Sequence, residues 1–89
     1  MRAVITVIGR DMVGIIAEVS ATLAKNNVNI LDISQSVLQD FFAMVMLVDI
    51  SNSEVDFDDL RSTLAGLGDQ KGLKILCMHE DIFNSMHRI

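Results

Sequence analysis

The sequence predicts an α+β domain in which the order strand–helix–strand occurs twice. Short runs of β-branched and apolar residues alternate with two longer segments in which apolar residues recur at helical spacing. The chain has 89 residues, a length that holds one hydrophobic core. It contains no proline, and no linker-like stretch separates its halves. These observations favour a single domain, over residues 1–89, built around one sheet.

The first strand and the first helix are predicted from the N-terminal third of the chain. β-branched and apolar residues at 2–8 are typical of a strand. A helix is expected at 13–26, and Asn26-Asn27 suits its end because asparagine tolerates the left-handed conformation. The apolar stripe expected on this helix consists of Ile16, Val19 and Leu23.

Two strands joined by a tight turn follow. The strand at 28–38 contains many polar residues, whereas the strand at 41–50 is the most apolar part of the chain. Gln39-Asp40 between them is expected to form a two-residue hairpin turn. A polar strand suits the edge of a sheet, and an apolar strand suits its centre.

The second helix, at 57–71, has the clearest local signals. Asp56 is expected to cap its N-terminus, and Lys71 followed by Gly72 is expected at its C-terminus. The apolar stripe expected on this helix consists of Phe57, Leu60, Leu64 and Leu67.

A strand at 73–79 and a short helix at 81–88 complete the chain. The order of elements is then βαββαβ with an extra C-terminal helix. Because the hairpin places both halves in one antiparallel sheet, the expected strand order is 4-1-3-2. This is the ferredoxin-like arrangement, with the two long helices on one face.

The predicted sheet has apolar residues on both faces. A face left to water is expected to be polar at every second position of a strand. On one side of the third strand only Asp49 is polar, and its neighbours there are Phe41, Ala43, Val45 and Leu47. Either the final helix folds back over this face and the protein is monomeric, or another subunit covers it. We predict a homodimer or a higher homo-oligomer.

Composition argues against several classes of function. At 51% hydrophobic residues the chain is too apolar to be disordered. Its longest apolar run, 41–48, is much shorter than the ~20 residues of a membrane helix, so no membrane association is expected. The net charge is −5 and the 7 Lys and Arg residues are scattered, which argues against direct binding of nucleic acid. A single cysteine, Cys77, and no recognisable export signal predict a cytoplasmic location.

The turn from Gly9 to Gly14 is the most informative segment for function. It links a central strand to a helix N-terminus, where backbone N–H groups and the helix dipole favour a carboxylate or a phosphate. Gly14 leaves room for the close approach of a ligand or of a second chain. The alternative is that both glycines only permit a turn and a tight contact between the helix and a strand.

Two segments resemble a known family. Val4–Ala17, with the sequence VITVIGRDMVGIIA, is similar to the opening of an ACT domain, and so is Asn27–Ile33, NVNILDI, after the first helix. The resemblance extends over nearly the whole chain. It is closest to single-domain bacterial ACT proteins, which are related to the ACT repeats of the glycine cleavage system repressor. It implies a regulatory module that binds a small ligand, usually an amino acid, at an interface between two ACT domains.

The resemblance also implies where that ligand binds. Its carboxylate would meet the first turn, assisted by Asn29 at the start of the second strand. Asp32 is added because its charge suits an ammonium group. Many relatives carry a proline at the position of Val13, which presets the first helical turn. The candidate turn residues are Arg10, Asp11, Met12, Val13, Gly14 and Ile15.

No catalytic constellation is recognised, and no cofactor is expected. Cys77 and His79 share one side of a strand and suggest a metal site with His87, but a cysteine among apolar strand residues is more often part of the core. The protein is therefore predicted to hold no metal and not to be an enzyme. The alternative function is a protein–protein interaction or dimerisation module without a ligand. Its partner would be an enzyme or a transcription factor.

Overall fold

The chain forms a four-stranded antiparallel sheet with three helices. The computed structural model describes residues 1–10 and 13–86, apart from the side chain of Leu38. The elements are β1 (Arg2–Gly9), α1 (Ile15–Lys25), β2 (Asn29–Leu38), β3 (Phe41–Asp49), α2 (Phe57–Lys71), β4 (Lys74–His79) and α3 (Glu80–Met86).

The strand order is β2-β3-β1-β4, which confirms the predicted ferredoxin-like topology. The apolar strands β1 and β3 are central, and the polar strand β2 is at one edge. The register fixes which residues share an end of the sheet. At one end lie Asn29, Asp49 and Arg2, and at the other end lie Val37, Phe42 and Gly9.

The hydrophobic core lies between the sheet and the helices α1 and α2, on what we call the inner face. None of the buried side chains in the described part of the chain is polar or charged. The largest fully buried members come from both central strands and both helices. They are Ile5, Ile15, Leu23, Met44, Met46, Leu60 and Leu64.

Helix α1 begins at Ile15, two residues later than predicted. Gly14 precedes it with φ of +75°, a left-handed conformation that glycine adopts without steric cost and that interrupts the helix. Val19 and Leu23 of the predicted stripe are buried as expected, and Ile15 is the third buried residue of the helix. Ile16, predicted to belong to the stripe, is instead 36% exposed.

Helix α2 has the ends that its sequence predicts. The Asp56 Oδ1 accepts a hydrogen bond of 2.8 Å from the Asp59 N–H, which caps the first turn. Gly72 ends the helix with φ of +71°. The Lys71 Nζ lies 3.0 Å from Glu18 Oε1, and this ion pair joins α2 to α1.

Helix α3 lies on the opposite side of the sheet, here called the outer face, and covers one end of it. Arg2 binds Glu80 of α3 through Nε and Nη2, at 3.1 and 2.9 Å from Oε1. Val4 is only 4% exposed, whereas Ile8, farther along the same side of β1, is 39% exposed. The final helix is therefore only a partial cover for the outer face. The last residues predicted for it, 87 and 88, lie outside the described residues.

Candidate functional site

The two glycines of the β1–α1 turn have different structural roles. A Cβ atom on Gly9 would collide with the Leu73 side chain, so Gly9 permits a tight contact between β1 and the chain before β4. A Cβ atom on Gly14 would meet nothing within 4 Å, and its requirement for glycine comes from φ of +75°. Gly9 thus fits the packing interpretation, while Gly14 leaves open space at the start of α1.

The N-terminus of α1 is the chemically most suggestive part of this turn. Among the described residues no side chain caps it, and the Gly14 carbonyl accepts the Glu18 N–H at 3.0 Å. The first N–H groups of a helix lack intrahelical acceptors and lie at the positive end of its dipole, which favours an anion. Ile15 is 2% exposed, so its side chain belongs to the core and only its backbone can serve a ligand.

The structure describes two of the remaining four turn residues. The Arg10 guanidinium lies 5.3 Å from the centre of the Phe41 ring, an exposed cation at the end of β1. Val13 is 93% exposed. The other two candidates, Asp11 and Met12, lie outside the described residues.

Asn29 lies at the opposite end of the sheet from the turn. It pairs with Asp49, whereas Gly9, where the turn begins, is level with Val37 through Phe42. Eight residues of strand separate the two levels, which is about 26 Å at the usual rise per residue. Within one chain, therefore, the turn and Asn29 cannot hold the same small ligand.

The surroundings of Asn29 are polar and carry a carboxylate. A surface cavity of about 490 Å³ is lined there by Asn29, Asn27, Asn52 and Asp49, among others. Hydrogen bonds from the Ser51 hydroxyl and backbone N–H lower the pKa of Asp49, with smaller contributions from the terminal ammonium group and Arg2. This end of the sheet therefore holds a stable negative charge.

Asp32 faces the outer side of β2. It pairs with Leu47, whose side of β3 is the outer one, and its Oδ1 accepts the backbone N–H of Ile33 at 2.9 Å. A register shift in the β2–β3 pairing occurs between Ile30 and Asp32. The structure thus separates Asp32 from the α1 N-terminus, which starts on the inner side.

The edge strand β2, although mostly polar, has two partly exposed apolar residues on its inner side. Ile33 and Val37 pair with Met46 and Phe42 and so face the inner side, yet they are 39% and 70% exposed. Helix α1 leaves them partly uncovered. The sequence signal for these apolar residues is the even spacing of Ile33 and Val37, with the polar Gln35 between them.

The structure assigns Cys77 and His79 to packing. Cys77 is in the hydrophobic core, and the His79 ring stacks on Phe57 with 4.0 Å between ring centres. Within residues 1–10 and 13–86, no three His, Cys, Asp or Glu side chains come together as metal ligands would. The third suggested ligand, His87, lies outside the described residues.

Over the same residues, no helix is both long enough and apolar enough to span a bilayer.

Comparisons with known proteins agree with this fold. A model of the ACT domain family matches residues 2–78. A UPF0237 protein from Methanocaldococcus jannaschii is 53% identical over 88 residues, which cover 99% of this chain and 98% of that protein. A UPF0237 protein from Clostridium perfringens is 54% identical over the full length of both chains, 89 residues. A solved ACT domain protein from Streptococcus pneumoniae has a TM-score of 0.81 at 41% identity and covers 93% of both chains. The chain therefore belongs to the ACT domain family, whose members are regulatory modules that bind small ligands.

Proposed function

We propose that this protein is a regulatory module that binds a small ligand, an amino acid, as a homodimer. The observation that supports this most directly is the position of the two halves of the candidate site. The α1 N-terminus and Asn29 lie at opposite ends of the sheet, level with opposite ends of the open edge of β2. A two-fold axis across that edge brings the Asn29 of one chain level with the turn of the other, about 14 Å from the end of β1 across three strand spacings, a distance that the turn and the start of α1 have to span.

Antiparallel pairing of two β2 strands about Ile33 illustrates the geometry. In that register the partner's Asn29 lies at the level of Val37, with its side chain on the outer side. This is because Asn29 pairs with Asp49, and the register shift between Ile30 and Asp32 separates it from the inner-facing Ile33 and Val37. Val37 is level with Gly9, where the ligand turn begins. Each of two equivalent sites then takes its turn from one chain and its Asn29 from the other, as an isologous dimer requires.

The β2 edge has the properties of a pairing surface. Natural sheets protect a free edge with lysine, proline or a covering element. β2 contains no lysine, arginine or proline, and its protective features, Asp32 and the register shift beside it, are confined to one end of the strand. Among its described side chains the exposed apolar ones are Leu31 at 45%, Ile33 at 39% and Val37 at 70%. Pairing satisfies the open backbone groups and covers these side chains.

The chemistry of the combined site suits a free amino acid. The first-turn amides of α1 and the Arg10 guanidinium attract its carboxylate. The partner's Asn29 offers both a donor and an acceptor, and Asp32 would meet an ammonium group if the ligand reaches around the strand edge. Asp11, Met12 and Val13 complete the turn in this proposal.

A matched pair of substitutions at Gly14 tests the carboxylate site. Gly14→Asp places a negative charge beside the α1 N-terminus, while Gly14→Asn adds a side chain of equal size without charge. Both residues tolerate a positive φ better than most. We expect thermal-shift measurements against the twenty amino acids to find one that raises the Tm of the wild type by on the order of 10 °C at a hundredfold excess over Kd.

We expect Gly14→Asp to abolish this shift and Gly14→Asn to retain part of it. Gly66→Asp is the control, because it adds the same charge where a Cβ meets nothing within 4 Å on α2. An unchanged shift in Gly14→Asp would place the carboxylate elsewhere. If no amino acid shifts the wild type, sensing of free amino acids is wrong.

A mixing experiment tests whether each site is shared between subunits. Neither Gly14→Asp nor Asn29→Ala should bind alone. A mixed dimer of the two variants contains one site made of an intact turn and an intact Asn29. We therefore expect co-refolding of an equal mixture to restore binding, at roughly one site per mixed dimer. If binding is not restored although mixed dimers form, the site lies within one chain.

The second candidate function is a dimerisation module without a ligand. The exposed apolar side chains of the β2 edge support it independently of the turn. It predicts a dimer in solution together with no shift from any of the amino acids.

A further inference from the structure

We infer that the outer face of the sheet is a second interface between copies of this chain. Through it, two β2-paired dimers stack sheet against sheet into a tetramer. The tetrameric count rests on the proposed β2 pairing, whereas the outer-face contact itself rests on a different surface.

The uncovered part of the outer face is mostly apolar. The pairing of β1 with β3 and β4 places Thr6, Val45 and Leu76 in one row across the sheet, and Ile8, Ala43 and Lys74 in the next, so the polar members of this area are Thr6 and, at the β4 edge, Lys74. Ile8 is 39% exposed and Leu76 is 40% exposed. On edge strand β2 the same side carries Asp32, Ser34 and Ser36, which give this area a hydrophilic border.

Helix α3 makes this face a step rather than a plane. It covers the Val4 end, where the ion pair between Arg2 and Glu80 fixes its start. The helix also exposes Ile82 at 52% and Met86 at 65%. One half of the outer face is therefore raised and the other half is low, and Ile82 lies toward the β4 edge, where it lines a cavity with Leu76 and with Ala65 of α2.

A second copy has the shape that matches this step. A two-fold axis parallel to the sheet and perpendicular to the strands lays each α3 over the low half of the other copy. In such an isologous contact the raised half of each copy lies over the low half of the other copy. The exposed side chains of α3 then cover Leu76 and Ile8 of the partner subunit.

The charges at the two ends of the outer face favour the same arrangement. Arg10 and Lys74 lie at the low end, since Lys74 pairs with Ile8 and Arg10 follows β1. Among the described residues, the raised end carries four carboxylates, Asp32, Asp49, Glu80 and Asp81, against two cations, Arg2, which pairs with Glu80, and the terminal ammonium group, which lies 3.8 Å from Asp49. The two-fold axis places the cationic end of each copy over the acidic end of the other.

The surface area is consistent with a covered face. A compact monomer of 9.8 kDa has an accessible surface of about 5,200 Å², whereas this chain exposes 5769 Å². Four strands about 4.8 Å apart and eight residues long present on the order of 500 Å² in projection. Two copies then bury on the order of 1,000 Å² in total, which is the size at which specific interfaces begin.

Analytical ultracentrifugation of interface variants tests the inference. Leu76→Glu places a charge in the apolar row, and Ile33→Lys places two lysines opposite each other in the β2 pairing. We expect the wild type at about 39 kDa, four times 9.8 kDa. Each single variant should sediment as a dimer, and the double variant should sediment at 9.8 kDa.

Two controls keep the result interpretable. Gly66→Glu adds the same charge at an exposed position on α2 and should remain tetrameric. Ile8→Lys is a second outer-face variant in case Leu76→Glu fails to fold, as judged by circular dichroism. If a folded outer-face variant has the mass of the wild type, the inference is wrong. If only Ile33→Lys keeps the wild-type mass, the β2 pairing is wrong and the outer-face contact stands.

Discussion

Cys77 shows how one buried residue can look functional in sequence and be inert in the fold. Its neighbour at the second position, His79, suggests a ligand pair. In the structure Cys77 is 7% exposed among core residues. Burial raises the pKa of its thiol to about 11, and the nearby Arg61 only partly opposes this. The thiol is therefore protonated at physiological pH, which lowers its reactivity as a nucleophile.

We expect the Cys77 thiol to react with Ellman's reagent at pH 8 at least about tenfold more slowly in the native protein than in urea. An exposed cysteine introduced as Ser62→Cys in a Cys77→Ala background serves as the reactivity control. Fast native labelling at position 77 would contradict the burial.

The same group makes stability depend on alkaline pH. Since folding raises the thiol pKa from 9.0 to about 11, the stabilisation from the neutral thiol is complete below pH 9 and is lost as pH rises toward 11. We expect urea unfolding to show a smaller loss over this interval in Cys77→Ala than in the wild type.

The two glycines of the first turn show which properties of single residues can be predicted from a sequence and which cannot. Their presence predicts a turn, and the turn is there. Their separate causes, the Leu73 contact at Gly9 and the positive φ at Gly14, depend on the path of the chain. Leu73 is far away in sequence, so no local pattern could assign that contact.

Helix α2 is the element whose two ends are determined most fully by local residues. The carboxylate of Asp56 accepts the Asp59 N–H, and Gly72 supplies the left-handed end. Such signals act over three or four residues and need no tertiary information. Helix α1 lacks a capping side chain, and its start depends on Gly14, which is why its prediction was two residues too early. Of the predicted stripe, Val19 and Leu23 are buried, and only Ile16 is wrong, since the neighbouring Ile15 takes the third buried position.

We expect Asp56→Ala to lower the free energy of unfolding by about 1 kcal/mol, because the Asp59 N–H loses its acceptor. Asp56→Asn should preserve most of that stability, since asparagine is an equally good cap. Urea unfolding followed by circular dichroism measures both. Equal stability of Asp56→Ala and the wild type would show that the cap contributes nothing.

At the scale of the whole molecule, the topology was predictable and the assembly of the site was not. Hydrophobic patterning alone distinguishes the central strands from β2, and the observed order confirms it. The separation of Asn29 from the turn depends on register and on strand direction. Asn29 and the turn both belong to segments that resemble the family, but the distance between them in space follows only from the pairing of Asn29 with Asp49.

If copies of the chain pair as proposed, thermal stability should depend on protein concentration. Association stabilises the folded chain by mass action, so the Tm should rise between about 1 and 100 μM. Differential scanning calorimetry over this range measures the effect. A constant Tm combined with a mass of 9.8 kDa would contradict self-association.

The distance between Asn29 and the turn has a consequence for the cell. On the proposed pairing, a lone chain holds only half of each site, whatever the supply of ligand. The response to the ligand then increases with the expression level of the protein itself, and a protein too scarce to dimerise does not respond. Overexpression of a variant with a defective ligand site would also reduce binding by the normal copies, because each mixed dimer loses at least one of its two sites.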